Sequence, residues 1–225
     1  MTQKNVNVEA QNVEAEGLKK ISWFEKNKKA LIIASSVLGV LVIAFVAWWQ
    51  FIVKPNQEML LDEIAKCEVY FLKGDSTSLQ KALNGDEVEA LGFKYLADEY
   101  PRYQTGKLAA LYAGACYYHL GQYAEAIEYL DKFEADDLHM QPGALLLKGD
   151  AYVCLKDYAK AIETYAEVVE TGNKMLAPKA LMKTGIVHLE LKDKAAAKTA
   201  FETIKKDFPA SQEAKNIDKY ISFVE

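Results

Sequence analysis

The sequence contains few of the residues that interrupt helices and few that bind metals. Of its 225 residues only five are proline and twelve are glycine, whereas alanine, leucine, lysine and glutamate are abundant, which predicts an all-α protein. Cys67, Cys116 and Cys154 lie far apart and form no CxxC pair. Their spacing excludes the usual zinc motifs and favours buried, reduced thiols. An oxidising compartment would also allow a Cys116–Cys154 disulfide.

Sequence motifs for catalysis are missing as well. The chain has no GxSxG, P-loop, HExxH or GxGxxG motif, and His119, His139 and His188 lie far from one another. We therefore expect no enzyme activity, no cofactor and no metal site. Residues 1–54 carry seven lysines and four glutamates, so the net charge of −5 leaves −8 for residues 55–225. Such an acidic domain is a poor match for the phosphates of nucleic acids.

One long apolar run stands out near the N-terminus. Residues 30–53 contain no charged side chain. As a helix they would rise about 36 Å, enough to cross a hydrocarbon core of about 30 Å. Lysines flank the run, and Trp48 and Trp49 stand near one end, as in the aromatic belts of membrane proteins. The pattern predicts a transmembrane helix, and a buried core helix is the alternative.

The charges on either side of this run predict its direction. Five lysines shortly precede it, whereas Lys54 is soon followed by Glu58 and Asp62. Because positive flanks stay inside, residues 1–29 are expected in the cytoplasm and the large domain across the membrane. In a bacterium that location is the periplasm, and the anchor lies in the inner membrane.

The tail before the run has two parts. Residues 1–15 are polar without a sustained period and are expected to be disordered. From Glu16 the sequence favours an amphipathic helix on the bilayer surface. The apolar run is longer than the core of a signal peptide, and no small-x-small site follows it. We therefore expect an uncleaved anchor.

The part of the chain beyond the run contains an internal repeat. Gly114, Gly149 and Gly185 are 35 and 36 residues apart. A degenerate copy lies upstream, since FKYLADEYP at 93–101 matches FETIKKDFP at 201–209. Such periods predict stacked helix pairs. We divide this region as follows: a degenerate first repeat over 55–104 with a polar connector at 75–86, three repeats over 105–209, and a capping helix over 210–225.

The residue types of the repeat resemble those of the tetratricopeptide repeat family. An aromatic residue follows the glycine by three positions at Tyr117 and Tyr152. An alanine and then a bulky residue follow in each copy: Ala126 with Leu130, Ala161 with Tyr165, and Ala197 with Phe201. The resemblance implies a solenoid whose first helices line a concave binding face. It places twelve residues there, here called the groove row: Leu108, Leu111, Ala115, Tyr118, His119, Leu146, Asp150, Val153, Met182, Ile186, Leu189 and Glu190.

The composition of the groove row indicates a kind of ligand. Chaperone-binding members of the family grip a C-terminal carboxylate with lysine and asparagine, but the corresponding places here include Leu111, Leu146 and Met182. The resemblance therefore implies an apolar groove for an amphipathic helix or an extended apolar segment of a protein partner. A helix of the chain itself, or a second copy, could fill it instead.

The order of the segments resembles the ancillary Sec-translocon subunit of YfgM type. The shared layout is a short tail with the run WFEKNKK at 23–29, one span, and a tetratricopeptide domain. The resemblance implies a membrane-tethered adaptor or scaffold that binds the Sec translocon and a periplasmic chaperone during protein export. The alternative is a self-associating structural or assembly factor for an envelope complex, which would be a homo-oligomer.

Overall fold

The computed structural model describes residues 27–49, 54–86, 88–135 and 139–225. The chain divides into two compact units, Met1–Asn56 and Gln57–Glu225. The amphipathic tail expected before residue 27 and the last part of the apolar run, residues 50–53, lie outside the described residues.

In the first unit, one helix covers most of the apolar run. Helix α1 (Asn27–Trp48) is long and apolar enough to cross a membrane, and none of it is buried within the structure. The hydroxyl groups of Ser35 and Ser36 donate to the carbonyls of Ile32 and Ile33, at 2.9 and 2.8 Å. These bonds satisfy the two polar side chains inside the helix, as an apolar environment requires.

The rest of the described chain is helical and contains no β-strand. Its helices are α2 (Lys54–Phe71), α3 (Ser76–Asn84), α4 (Phe93–Glu99), α5 (Gln104–His119), α6 (Tyr123–Asp131), α7 (Met140–Cys154), α8 (Tyr158–Glu170), α9 (Ala177–Glu190), α10 (Lys194–Asp207) and α11 (Ile217–Val224), with a short 3-10 helix at Glu213–Asn216. The prediction of an all-α chain is confirmed.

Helices α5 to α10 form three consecutive pairs, each joined by the same tight turn. Gly121, Lys156 and Lys192 occupy equivalent positions in these turns, with φ of 78°, 61° and 62°. In the first turn, for example, the N–H of Gln122 donates to the carbonyl of Tyr117 at 2.9 Å. This is the Schellman motif, which satisfies carbonyls at the end of a helix and reverses the chain. The repeat therefore comes from three copies of one local structure.

Each pair is held together by a bulky side chain opposite the repeat glycine. A Cβ atom built at Gly114 would lie 2.7 Å from Cγ of Leu130, and one built at Gly149 would lie 2.7 Å from Cδ1 of Tyr165. Leu130 and Tyr165 are both buried. The glycines thus allow the two helices of a pair to approach closely, and the prediction of stacked helix pairs is confirmed.

Residues 75–86, predicted to be a connector, instead contain helix α3. The carboxylate of Asp75 accepts a hydrogen bond from the N–H of Ser78 at 2.9 Å and caps the helix. The apolar face of α3 is small, which explains why the polar sequence of this stretch does not predict a helix. The buried side chains are Leu79, Ala82 and Leu83.

The degenerate copy of the repeat corresponds to α3 and α4. Three periods upstream of Gly185 lies Thr77, within α3, and three periods upstream of Phe201 lies Phe93, the first residue of α4. Between the two helices, the carboxylate of Asp86 accepts hydrogen bonds from the N–H groups of Glu89 and Ala90, at 2.6 and 3.1 Å. Such a turn competes with helix formation, so α4 begins only after it, at Phe93.

The apolar core is a series of clusters along the solenoid. The largest contains buried residues of α2 to α6, and separate clusters lie between α7, α8 and α9 and between α9, α10 and α11. A fourth cluster joins α6 to α7. This arrangement is typical of repeat proteins, in which each repeat packs on its neighbours only.

Candidate functional site

The groove row follows the first helices of the three pairs, α5, α7 and α9. His119, Ile186 and Glu190 are exposed, and Leu146 is buried. The other eight residues are half-buried: Leu108, Leu111, Ala115, Tyr118, Asp150, Val153, Met182 and Leu189. The surface that the row offers to a ligand is therefore uneven.

Several apolar members of the row pack inside the solenoid. Leu146 belongs to the core cluster of α7 to α9, Leu111 contacts the cluster that joins α6 to α7, and Met182 contacts the cluster of α9 to α11. Their apolar area is partly used to hold neighbouring repeats together. Ile186, with 42% of its surface exposed, is the most accessible aliphatic side chain of the row.

An ion pair crosses the row between the second and third repeats. The carboxylate of Asp150 on α7 lies 2.8 Å from Nζ of Lys183 on α9, and it accepts a hydrogen bond from the hydroxyl of Tyr165 on α8 at 2.6 Å. Burial and the neighbouring Asp150 raise the pKa of Tyr165 above its ordinary value. This network ties three helices together and puts charge into a surface that the sequence predicted to be apolar.

Two tyrosines and a cysteine form a second group at the first repeat boundary. The rings of Tyr118 and Tyr123 lie 5.6 Å apart. Burial and the charge of Asp150 raise the pKa of Tyr118 to about 12. Cys154 is exposed beside them and is not disulfide-bonded. Cys154 follows His119 by 35 residues and precedes Glu190 by 36. The repeat spacing alone therefore assigns it to the row, although it is not among the twelve residues predicted.

The other two cysteines lie in the N-terminal core. Cys67 and Cys116 are buried and free. Burial raises the pKa of the Cys67 thiol to about 11 and that of Cys116 to about 12. A disulfide between Cys116 and Cys154 is absent in this structure.

Helix α2 lies beside α5, the first helix of the groove row. The ring of Phe71 lies 5.4 Å from that of Tyr112 and 6.3 Å from that of His119. His119 thus has an aromatic neighbour from α2, which lies upstream of the residues that match the repeat. The resemblance to the repeat family carried no signal for this contact.

The described residues contain no group of three or more His, Cys, Asp and Glu side chains that could hold a metal ion. The three histidines remain separate. His139 lies 3.4 Å from the side-chain amide of Asn173. Nδ1 of His188 is buried without a hydrogen-bond partner, as expected where a histidine occupies the place of a packing tyrosine.

The repeated helix pairs, their glycines and their identical turns define a solenoid of the tetratricopeptide type. Residues 179–211 match the family profile described as tetratricopeptide repeat. Residues 94–168 match the profile of anaphase-promoting complex, cyclosome, subunit 3. No curated protein matches the chain. The chain therefore carries tetratricopeptide-type repeats, a class of module that acts as a scaffold for protein–protein interaction.

Proposed function

We propose that this protein is a membrane-tethered adaptor that binds a segment of a partner protein along its groove row. The observation that carries the proposal is the row of exposed and half-buried side chains on α5, α7 and α9, which runs from His119 through Asp150 and Val153 to Ile186 and Glu190 across three repeats. The ion pair of Asp150 and Lys183 fixes the spacing of two of these helices. A ligand would combine apolar contact near Ile186 with polar contact near this pair.

The tether of this adaptor is α1, and its domain lies on the periplasmic side of a bacterial inner membrane. The lysine-rich side of α1 and the acidic composition beyond it support this direction. The order of the segments supports the Sec translocon and a periplasmic chaperone as the partners. The proposed function requires binding and no other activity, because tetratricopeptide repeats act by presenting a surface to other proteins.

A pair of matched substitutions tests the groove row. Ile186 and Leu191 are both aliphatic, with 42% and 48% of their surfaces exposed, but Leu191 lies in the turn after α9. Ile186→Glu is expected to lower the crosslinked yield of the partner about tenfold, because a carboxylate would be desolvated in an apolar contact. Leu191→Glu is expected to leave the yield unchanged. The measurement is crosslinking in cells, affinity purification in detergent and mass spectrometry.

The two arms of this experiment answer different questions. Equal yields from the Ile186→Glu and Leu191→Glu proteins would show that the partner binds elsewhere. Recovery of neither a translocon subunit nor a periplasmic chaperone would contradict the assignment of partners, whatever the variants do. Both variants are expected to keep the melting temperature of the parent, since both sites are exposed.

The accessibility of Cys154 to a labelling reagent tests on which side of the membrane the domain lies. Cys154 is exposed, whereas Cys67 and Cys116 are buried. A membrane-impermeant maleimide is therefore expected to label intact spheroplasts on Cys154, and the Cys154→Ser protein should stay unlabelled. Labelling that requires lysis of the cells would place the domain in the cytoplasm.

A further inference from the structure

A surface depression of about 310 Å³ lies between α3 and the end of α5, and it is here called the amide pocket. Its volume is at the lower end of the range for ligand sites, which is about 300–1,000 Å³. Its floor is covered, since Leu83 and Tyr117 are only 2% and 8% exposed. Its rim consists of exposed, uncharged residues that can both donate and accept hydrogen bonds: Ser76, Gln80, Asn84 and Gln122.

Helix α3 forms one wall of the amide pocket and sets the first repeat apart from the next two. Leu120, Leu155 and Leu191 occupy equivalent positions after α5, α7 and α9. Leu155 and Leu191 are each 48% exposed. Leu120 lines the pocket and is half-buried, because it packs against the N-terminal core cluster, to which α3 contributes three residues. The pocket therefore depends on the helix that the repeat pattern does not predict.

Gln122 departs from the repeat in a way that leaves its side chain available. Asp157 and Asp193 occupy the equivalent positions in the next two repeats, and their carboxylates cap α8 and α10. They accept hydrogen bonds from the N–H groups of Lys160 and Ala196, at 3.3 and 3.0 Å. The side chain of Gln122 makes no such bond to α6, although a capping aspartate would stabilise that helix. A local stabilising bond that is given up in this way is typical of a functional position.

We propose that the amide pocket binds a short, extended and uncharged segment of another protein through its backbone. The side-chain amides of Gln80, Asn84 and Gln122 make no hydrogen bond within the described part of the chain. Each amide has N–H donors and a carbonyl acceptor, which match the alternating C=O and N–H groups of an extended backbone. The apolar floor beneath them would accept a small apolar side chain of the same segment.

The lining of the pocket disfavours two other classes of ligand. None of its seven residues is charged, so a charged group of a ligand would lose water without gaining an ion pair. The ring of Tyr117 lies 5.2 Å from that of Tyr129 and is covered, so its face is not free to stack on a sugar. A neutral peptide fits both observations.

An array of heptapeptides with acetylated and amidated ends, probed with the labelled full chain in mild detergent, tests the proposal. Peptides of serine, asparagine, glutamine, glycine and valine are expected to bind. The same peptides with a central lysine or glutamate should bind about tenfold more weakly. Gln122→Asp is expected to lower binding of the uncharged peptides about tenfold, because a carboxylate cannot donate and would cap α6 instead. Its melting temperature should equal or exceed that of the parent, which separates lost binding from lost folding.

A second variant has a matched control. Asn84→Ala is also expected to lower binding about tenfold, whereas Asn216→Ala, at another exposed asparagine that ends a short helix, should leave it unchanged. Ile186→Glu should leave it unchanged as well, because the amide pocket and the groove row share no residue. Loss of binding in that variant would assign the peptides to the groove row and overturn the proposal.

Three further results would overturn the proposal. Equal binding by the parent, Gln122→Asp and Asn84→Ala chains would show that the peptides bind elsewhere. Equal binding of the charged and uncharged peptides would contradict the recognition of a neutral backbone. Failure of the parent chain to bind any uncharged peptide, with or without binding to a neutral oligosaccharide array, would show that the pocket does not take a peptide.

Discussion

Replacing Gly185 by alanine is expected to lower the free energy of unfolding by about 2 kcal/mol, although alanine is the better helix former. The added Cβ would lie 2.6 Å from Cζ and 2.8 Å from Cδ1 of Phe201, and closer still to Cε1. Phe201 is fully buried and its ring lies 5.3 Å from that of Tyr220. Because the ring has no free space to enter, α9 and α10 must move apart.

Gly143 provides the matched control for this substitution. It also lies in the first helix of a pair, but a Cβ atom built there meets nothing within 4 Å. Gly143→Ala is therefore expected to raise stability by about 0.5–1 kcal/mol through helix propensity alone. Urea unfolding of the full chain in mild detergent, followed by circular dichroism, measures both changes. Loss of stability in both variants, or in neither, would contradict the steric account.

The helix pairs were predictable because their cause is local and repeated. A glycine and a bulky residue sixteen positions later, such as Gly185 and Phe201, describe one steric contact that recurs at 35 and 36 residues. The long apolar run was equally plain, since it depends on composition alone. The repeated steric pair and the apolar run both remain recognisable when a single position departs from the family pattern, as His188 does.

Helix α3 and the contacts of α2 could not be predicted in the same way. The apolar face of α3 consists of Leu79, Ala82 and Leu83, too few residues to set a period among polar ones. Phe71 lies at helical spacing from the other apolar residues of α2. However, no neighbouring residue in the sequence indicates that its ring contacts Tyr112, 41 positions along the chain. Only tertiary packing supplies that information.

The groove row shows the same limit at the level of single residues. Leu146 and Ile186 are both aliphatic members of the row, yet one is buried and the other is 42% exposed. The difference depends on how deeply the neighbouring repeat covers each position. The ion pair of Asp150 and Lys183 joins residues 33 positions apart, and neither residue carries a local signal for the other. The repeat assigns positions to a face, while packing decides which of them a ligand can reach.

Replacing Phe93 by alanine is expected to lower the free energy of unfolding by about 3–5 kcal/mol, the largest effect among the substitutions considered. Phe93 is fully buried where three helices meet. Its ring stacks on that of Tyr112 in α5 at 4.8 Å and lies 6.4 Å from that of Phe71 in α2. Removal would leave a cavity at the meeting point of α2, α4 and α5, which these three helices cannot all move to close.

The loss is also expected to stay local, because the core consists of separate clusters. In the Phe93→Ala chain, hydrogen exchange should accelerate in α2 to α5 and remain slow in α9 and α10, whose contacts lie in other clusters. Tyr95→Ala is the control on the same helix, since this ring is half-exposed and its removal should cost less than about 1 kcal/mol. Uniform acceleration along the chain would show instead that the repeats unfold as one cooperative unit, so that a defect in the degenerate first repeat would also reach the part of the groove row on α9.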